Sequence, residues 1–407
     1  MRGETILFLL YCAAGPAAWL FLGWGMWRGR RLMRLVQRPP LAMPAGQPMP
    51  RVTILIPAKD EGERIRDCIQ SALDQDYPNF KVIAVNDRST DNTGQIMDEM
   101  ARSQPNLTVV HIQEGTLPEG WTGKCNALQN AVKQAEGEYF LFIDSDVVVT
   151  KDALMVTVSR VVRNTYDLLS FLPRIEAHGF WEELLIPLAG AGVSTMYVVA
   201  MTNKDYLKGT AFANGQYLFI KRSVYEAMGG HARVRDRFCE DVEIARYLKP
   251  LGYKVRITWG AEFASVRMYS SLPSIFKGWG RNFYAGSLGK PWRIFGGIGF
   301  VLFSCYSVYA ALLWAIYRVS HPAMSYDGQY AWLVAAVSHF VIMTSLLMVM
   351  YAWSGNRKRM ALLFPLSGAM LIGIFCRSLK MCFTGKVEWR GTSYTHRMSG
   401  NVADIKP

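Results

Sequence analysis

Three stretches of this chain, residues 6–27, 294–317 and 330–353, contain no Asp, Glu, Lys or Arg. Each is long enough to cross the roughly 30 Å hydrocarbon layer of a bilayer as a helix, so part of the fold must be built in lipid. The first stretch is followed at once by Arg28, Arg30, Arg31, Arg34 and Arg38. A signal peptide carries its positive charge before the apolar run, so residues 1–30 read as a retained anchor with its carboxyl end in the cytoplasm. Toward the other end, residues 318–329 carry little positive charge, whereas the next connection holds Arg357, Lys358 and Arg359. Positive-inside counting keeps that loop and the central part of the chain on the cytoplasmic side, at the inner membrane if the cell is bacterial. Residues 291–383 are therefore expected to hold membrane helices and residues 384–407 a basic tail. Within them, residues 360–375 are apolar but short, contain Pro365 and are followed by Arg377 and Lys380, so that segment either spans or, as the basic residues favour, is re-entrant or interfacial.

The net charge of +13 suits anionic lipid or a phosphorylated substrate, and the lack of any basic repeat or recognition motif excludes nucleic acid. Seven cysteines without a C-x-x-C pair describe neither a disulfide framework nor a zinc site, and fit buried thiols in a reducing compartment. No heptad or self-complementary face fixes an oligomeric state.

After a basic, proline-rich linker at residues 31–50, the pattern changes to alternating strands and helices. Residues 52–57, 82–85, 109–112 and 139–143 read as buried strands, and residues 63–73 and 126–134 as helices. This order predicts a mostly parallel, doubly wound α/β sheet over residues 51–290. The strand at 139–143 ends abruptly in Asp144-Ser145-Asp146. Ligands collect outside the carboxyl ends of such strands, and paired carboxylates there suit Mg²⁺ or Mn²⁺, with phosphate and water completing the shell. An Asx turn closing the strand is the competing explanation.

Four segments occur in order: Ile56-Pro57-Ala58-Lys59-Asp60-Glu61, Val85-Asn86-Asp87-Arg88-Ser89-Thr90-Asp91, Asp144-Ser145-Asp146 and Glu240-Asp241. Together they resemble the motifs of the glycosyltransferase family 2 catalytic domain. The resemblance implies a GT-A fold, a nucleotide-sugar donor, a divalent metal and inversion at the anomeric carbon. It implies that Pro57, Ala58, Glu61 and Asp87 hold the uridine half of the donor. Asp144 would stand on the ribose or metal side and Asp146 on the metal. Asp241, with Glu240 beside it, is the candidate base for the attacking hydroxyl, since a carboxylate within reach can take that proton. The alternative for both is a helix-entry carboxylate favoured by the helix dipole.

Gly120-Trp121-Thr122-Gly123-Lys124 precedes a helix. Glycines at such a place let backbone amides approach phosphate, and Lys124 adds a point charge there or is simply an exposed loop lysine. This segment resembles a lipid-directed branch of the family that includes hopanoid-associated, carotenoid and ceramide glycosyltransferases. Residues 184–201 are apolar and interrupted by Pro187. A crossing there would put Asp146 and Asp241 on opposite sides of the membrane, so residues 181–201 read as an interfacial helix or broken helix that admits a lipid acceptor, with a buried core helix as the competitor. Residues 214–222 resemble the family's acceptor-side segment. There Gly215 permits close approach of substrate or relieves a strained turn. Processive relatives carry Q-x-x-R-W. Here Ile275 and Gly278 hold the Gln and Arg positions, which weakens a reading as a polysaccharide synthase. Trp279 suits sugar stacking or interfacial anchoring, and Arg281 suits the donor diphosphate. Residues 387–394 resemble the tryptophan-arginine-glycine tail of lipid glycosyltransferases. The expectation is a cytoplasm-facing integral-membrane enzyme that moves one sugar from a UDP-sugar to a lipid hydroxyl. A glycan synthase and a catalytically silent scaffold are the alternatives.

Overall fold

The computed structural model describes residues 2–34, 43, 46, 48–321, 329–389 and 392–395. Most of the proline-rich linker and the tail residues 390, 391 and 396–407 lie outside the described residues. The chain divides into two compact units: Met1–Arg30, Ala177–Met196 and Tyr269–Val402 form one, and Arg31–Glu176, Tyr197–Met268 and Ala403–Pro407 the other. This differs from a continuous domain over 51–290, because residues 177–196 and 269–290 group with the apolar helices.

The second unit is built on a seven-stranded sheet. Its strands are β1 (Val52–Ala58), β2 (Phe80–Asp87), β3 (Leu107–Ile112), β4 (Tyr139–Ile143), β6 (Leu168–Leu172), β8 (Tyr217–Lys221) and β9 (Val255–Trp259), in the order β3-β2-β1-β4-β8-β6-β9. Three short strands, β5 (Val147–Val149), β7 (Arg174–Ile175) and β10 (Ala264–Val266), make a second sheet in the order β5-β10-β7. The run from β3 to β4 is parallel, β8 is antiparallel to β4 and β6, and β6 and β9 are parallel again. This is the expected α/β class, a mostly parallel sheet.

Alternation of side chains along the central strands splits the core into two layers. Ile54 and Ile56 of β1, with Leu141 and Ile143 of β4, face helices Ile65–Leu73, Thr93–Ser103 and Ala153–Asn164. Leu55, Phe140 and Phe142 face helices Gly123–Val132 and Glu240–Leu248. Because both faces are covered, β1 is buried at every residue, which explains its unbroken apolar sequence. The register sets Ala58 opposite Asn86 and Leu55 opposite Phe142, so Pro57, Asp87 and Asp144 emerge at one edge. The antiparallel pairing of Ile143 with Tyr217 brings the start of β8 to that same edge.

In the first unit, Pro291–Ser320, Tyr330–Trp353 and Lys358–Thr384 are long and apolar enough to cross a membrane, as is Gly3–Met33, most of which belongs to this unit. A buried polar cluster links three of them. Tyr11 hydrogen-bonds His339 Nδ1 at 3.0 Å, His339 Nε2 lies 3.0 Å from the Ser304 carbonyl, and Trp19 Nε1 donates to the same carbonyl at 2.5 Å. Such side-chain bonds, and the close approach that Gly15 allows to the His339 ring, are how helices associate where lipid supplies no hydrophobic drive.

Two sequence readings change here. The segment expected to be re-entrant over 360–375 instead continues as helix Phe364–Thr384, through Arg377 and Lys380, and reaches spanning length. The apolar segment after Trp181 forms one helix, Phe180–Tyr197, that runs through Pro187 unbroken. Leu184, Leu185, Ile186, Leu188 and Ala189 are buried. Tyr351 donates to the Leu184 carbonyl at 2.6 Å, and Arg357 grips both oxygens of Glu183 at 2.7 and 2.6 Å. For this half of the helix, burial in a protein core describes the surroundings.

Candidate active site

The loops after β1 and β2 are tied to each other. Thr90 N–H donates to Asp60 Oδ1 at 2.7 Å, Asp60 N–H to Ser89 Oγ at 3.1 Å, Gly62 N–H to Asp91 Oδ2 at 3.0 Å and Glu61 N–H to Thr93 Oγ1 at 2.8 Å. This lattice ties the loop that follows Pro57 and Ala58 to the loop that follows Asp87. The Asp87 carboxylate is in turn held by its own neighbour, Arg88, through bonds of 2.7 and 2.9 Å to its two oxygens. A side chain on Gly123 would lie 2.6 Å from Asp87 and 2.8 Å from Arg88. The glycine therefore lets that pair sit against the amino end of helix Gly123–Val132, which Thr122 caps by accepting from Cys125 N–H.

Asp144 follows β4 in a tight turn, with Val147 N–H donating to its carbonyl at 3.1 Å. The Cys68 thiol beneath this turn is pushed well up, first by burial and then by the charges of Asp146, Asp144 and Glu61. The two carboxylates of the D-x-D segment and Glu61 thus all lie within electrostatic reach of this thiol. Across the cleft, Glu240 opens helix Glu240–Leu248 and is 4% exposed. Lys124, in the first turn of its helix, bridges the two sides: its Nζ is 2.6 Å from Asp144 Oδ1 and 2.7 Å from Glu240 Oε1. Burial works against the charge on Lys124, but Asp144, Glu240 and Asp241 together hold its pKa well above the usual value.

Asp241 accepts from Gly215 N–H at 2.5 Å and from Val242 N–H at 2.8 Å. Burial, then the adjacent Glu240 carboxylate, push its pKa up to about 7, against the pull of Lys124 and the two N–H groups. Such a value suits a group that must take a proton near neutrality. Gly215 does not adopt a left-handed backbone, so strain relief is not its role. A side chain there would stand 3.0 Å from Lys124 Nζ, 3.2 Å from Asp241 Oδ2 and 3.4 Å from Glu240 Oε1. What approaches Gly215 closely is the protein's own charged cluster.

Lining this cleft with Pro57, Lys124, Asp144, Gly215, Glu240 and Asp241 is His231, which the sequence reading missed. The Tyr225 hydroxyl bonds its Nδ1 at 2.7 Å and accepts its backbone N–H at 3.0 Å. Burial, and then Lys124, push its pKa down to about 3, so the ring is neutral. Its signal in the sequence was the preceding Gly229-Gly230, both left-handed, where Gly230 leaves room for the Tyr225 ring.

Trp279 and Arg281 lie on helix Leu272–Gly286 in the first unit. The Trp279 ring is 4% exposed, beside Tyr269 and Phe283. That burial leaves no face for sugar stacking and no anchor at a membrane surface, and corrects both expectations for it. Among the described residues, no group of three or more His, Cys, Asp or Glu side chains is placed to hold a metal ion. Asp144 and Asp146 are hard oxygen donors and fit Mg²⁺ or Mn²⁺ only as part of a shell completed by phosphate and water.

Residues 53–228 match the model of glycosyl transferase family 2. The chain carries a family 2 glycosyltransferase domain. Its chemistry is glycosyl transfer, and the Glu240-Asp241 pair lies beyond the matched segment. Similar curated proteins include the 4,4'-diaponeurosporenoate glycosyltransferases of Staphylococcus aureus strains USA300 and MRSA252. They are 28% and 27% identical over 361 residues, covering 84% of this chain and 88% of theirs. Among solved structures, the mannosyltransferase PcManGT from Pyrobaculum calidifontis in complex with GDP-Man and Mn²⁺ is similar at a TM-score of 0.49 and 18% identity, over 91% of this chain and 99% of that one. S. aureus TarS 1-349 in complex with UDP-GlcNAc is similar at 0.39 and 14%, over 86% and 97%.

Proposed function

We propose that this family 2 glycosyltransferase moves a single sugar from a UDP-sugar to the hydroxyl of a membrane lipid, with inversion, from the cytoplasmic face of the membrane. The observation that carries the catalytic reading is the joining of Asp144, Glu240 and Asp241 around one cleft at the carboxyl edge of the sheet. Pro57, Ala58, Glu61 and Asp87 form the nucleotide side. Asp144 and Asp146 would hold a divalent cation, which when bound neutralises charge developing on the leaving diphosphate. Asp241 takes the proton of the acceptor hydroxyl as its oxygen attacks the anomeric carbon. The new C–O bond forms opposite the breaking bond to phosphate, so the configuration inverts and the nucleoside diphosphate leaves. The bonds from Gly215 and Val242 fix the direction in which the Asp241 carboxylate points.

A lipid acceptor is supported by the apolar helices and by the 4,4'-diaponeurosporenoate glycosyltransferases, whose similarity extends over most of the chain. The basic residues after the anchor and at 357–359 support a cytoplasmic catalytic unit. Mass spectrometry of lipids from cells with and without the protein tests the proposal. A lipid heavier by one hexose only in producing cells is expected, and an oligosaccharide series or an unchanged lipid profile overturns it.

A further inference from the structure

Among the described residues that line the cleft, Lys124 is the one lysine or arginine, and it faces three carboxylates there. Two of its contacts, at 2.6 Å to Asp144 and 2.7 Å to Glu240, have the length of strong charge-assisted bonds. They join the end of β4 to the first turn of helix Glu240–Leu248, elements about a hundred residues apart in the chain. Gly215 walls the ammonium in on a third side, and the Glu240 side chain is only 5% exposed. A buried carboxylate left without this partner would be costly. These distances put the ammonium on a carboxylate oxygen that a metal ion would otherwise claim.

We propose that Lys124 is the resident cation of the donor-free enzyme: it pairs Asp144 with Glu240 and so keeps a divalent ion from binding tightly until the nucleotide diphosphate arrives with ligands of its own. Lys124 is then a positioning residue rather than a standing phosphate ligand. Its flexible four-carbon stem can release Asp144 while keeping Glu240, which preserves the geometry of the adjacent Asp241. The ligand set supports the same order. Lys124 already occupies an oxygen of Asp144, so a cation arriving alone must displace the ammonium, whereas one arriving with a diphosphate brings phosphate oxygens as further ligands. This inference rests on the reading of Asp144 and Asp146 as metal ligands.

The test is Mn²⁺ binding to the full-length protein in detergent, followed by electron paramagnetic resonance of the free ion with and without UDP. Wild-type protein is expected to bind Mn²⁺ at least about 10-fold more tightly with UDP present. Lys124→Met should bind Mn²⁺ alone about 10-fold or more tightly than wild type. Equal Mn²⁺ affinity of wild type and Lys124→Met without UDP overturns the proposal. If Lys124→Met does not fold, the wild-type titration alone decides, since affinity that is high and indifferent to UDP overturns it too. No Mn²⁺ binding by wild type even with UDP sinks the metal reading beneath it, an outcome distinct from failure of the lysine variant alone.

Discussion

Replacing Gly215 with alanine should slow the enzyme without unfolding it. The backbone at this position lies outside the left-handed region, so an alanine there carries no conformational penalty. Its Cβ would nevertheless lie 3.0 Å from Lys124 Nζ and 3.2 Å from Asp241 Oδ2, both inside ordinary contact distance. The ammonium and the carboxylate must each give by a few tenths of an ångström. Lys124 cannot retreat without lengthening its 2.6 and 2.7 Å bonds. Asp241 cannot turn without weakening its 2.5 Å bond from Gly215. Hydrogen bonds to charged groups contribute about 1.5–3 kcal/mol, and losing about half of one is close to a tenfold effect in rate. A base displaced by a fraction of an ångström adds to this, since misplacements near 1 Å can cost about 10²-fold. The turnover number should therefore fall by about 10- to 100-fold, with UDP affinity retained and the unfolding midpoint nearly unchanged. Sugar transfer to a lipid extract, with UDP binding by calorimetry, measures both. Gly209→Ala, where a Cβ meets nothing within 4 Å, is the control and should be silent. Wild-type turnover in Gly215→Ala would show that the three charged groups do not act as a unit.

Asp241→Asn should keep UDP binding and lower turnover by about 10²-fold or more. With the Asp241 pKa near 7, wild-type kcat/KM should fall about tenfold per pH unit below that point, and a profile with no break near 7 removes Asp241 as the base. That folded value lies above the unfolded one, so the group's contribution to stability is fully present in acid and is lost as pH rises through about 7. The melting temperature of wild type should accordingly drop relative to Asp241→Asn between pH 4 and 7. Asp146→Ala should abolish the gain in UDP affinity produced by Mn²⁺, and calorimetry showing the same gain in both proteins would exclude metal ligation there. Lys249 is 2% exposed and donates to the carbonyls of Met201, Thr202 and Thr210 at 3.3, 2.6 and 2.6 Å. Lys249→Met should cost about 2–3 kcal/mol by stranding those carbonyls, and an unaltered denaturation midpoint would contradict this.

The strands that carry the motifs were legible because they are buried on both faces and are therefore unbroken apolar runs. Residues 139–143 match β4 residue for residue, and residues 52–57 fall short of β1 by one. Strands β5, β7 and β10 escaped because pieces of two or three residues have no periodicity to read. The carboxylates of the cleft were readable from motif order, but their partners were not. That Lys124 joins Asp144 to Glu240 depends on which helix ends the sheet brings together. The lack of a side chain at Gly215 is visible in the sequence, while the neighbours crowded against it, Lys124 and Asp241, lie elsewhere in the chain. The end of helix Phe364–Thr384 was misjudged because Arg377 and Lys380 look like the water side of a membrane, although helix geometry continues past them.

The catalytic unit is interrupted. Its polypeptide leaves at Glu176, contributes helix Phe180–Tyr197 to the other unit and returns at Tyr197. Trimming both termini would therefore not yield a water-soluble enzyme, since the excised fragment would keep this central insertion with Leu184, Leu185 and Ile186 stripped of their cover. Expression strategies for this protein should instead retain the whole chain in detergent or nanodiscs, or replace residues 177–196 by a short polar bridge.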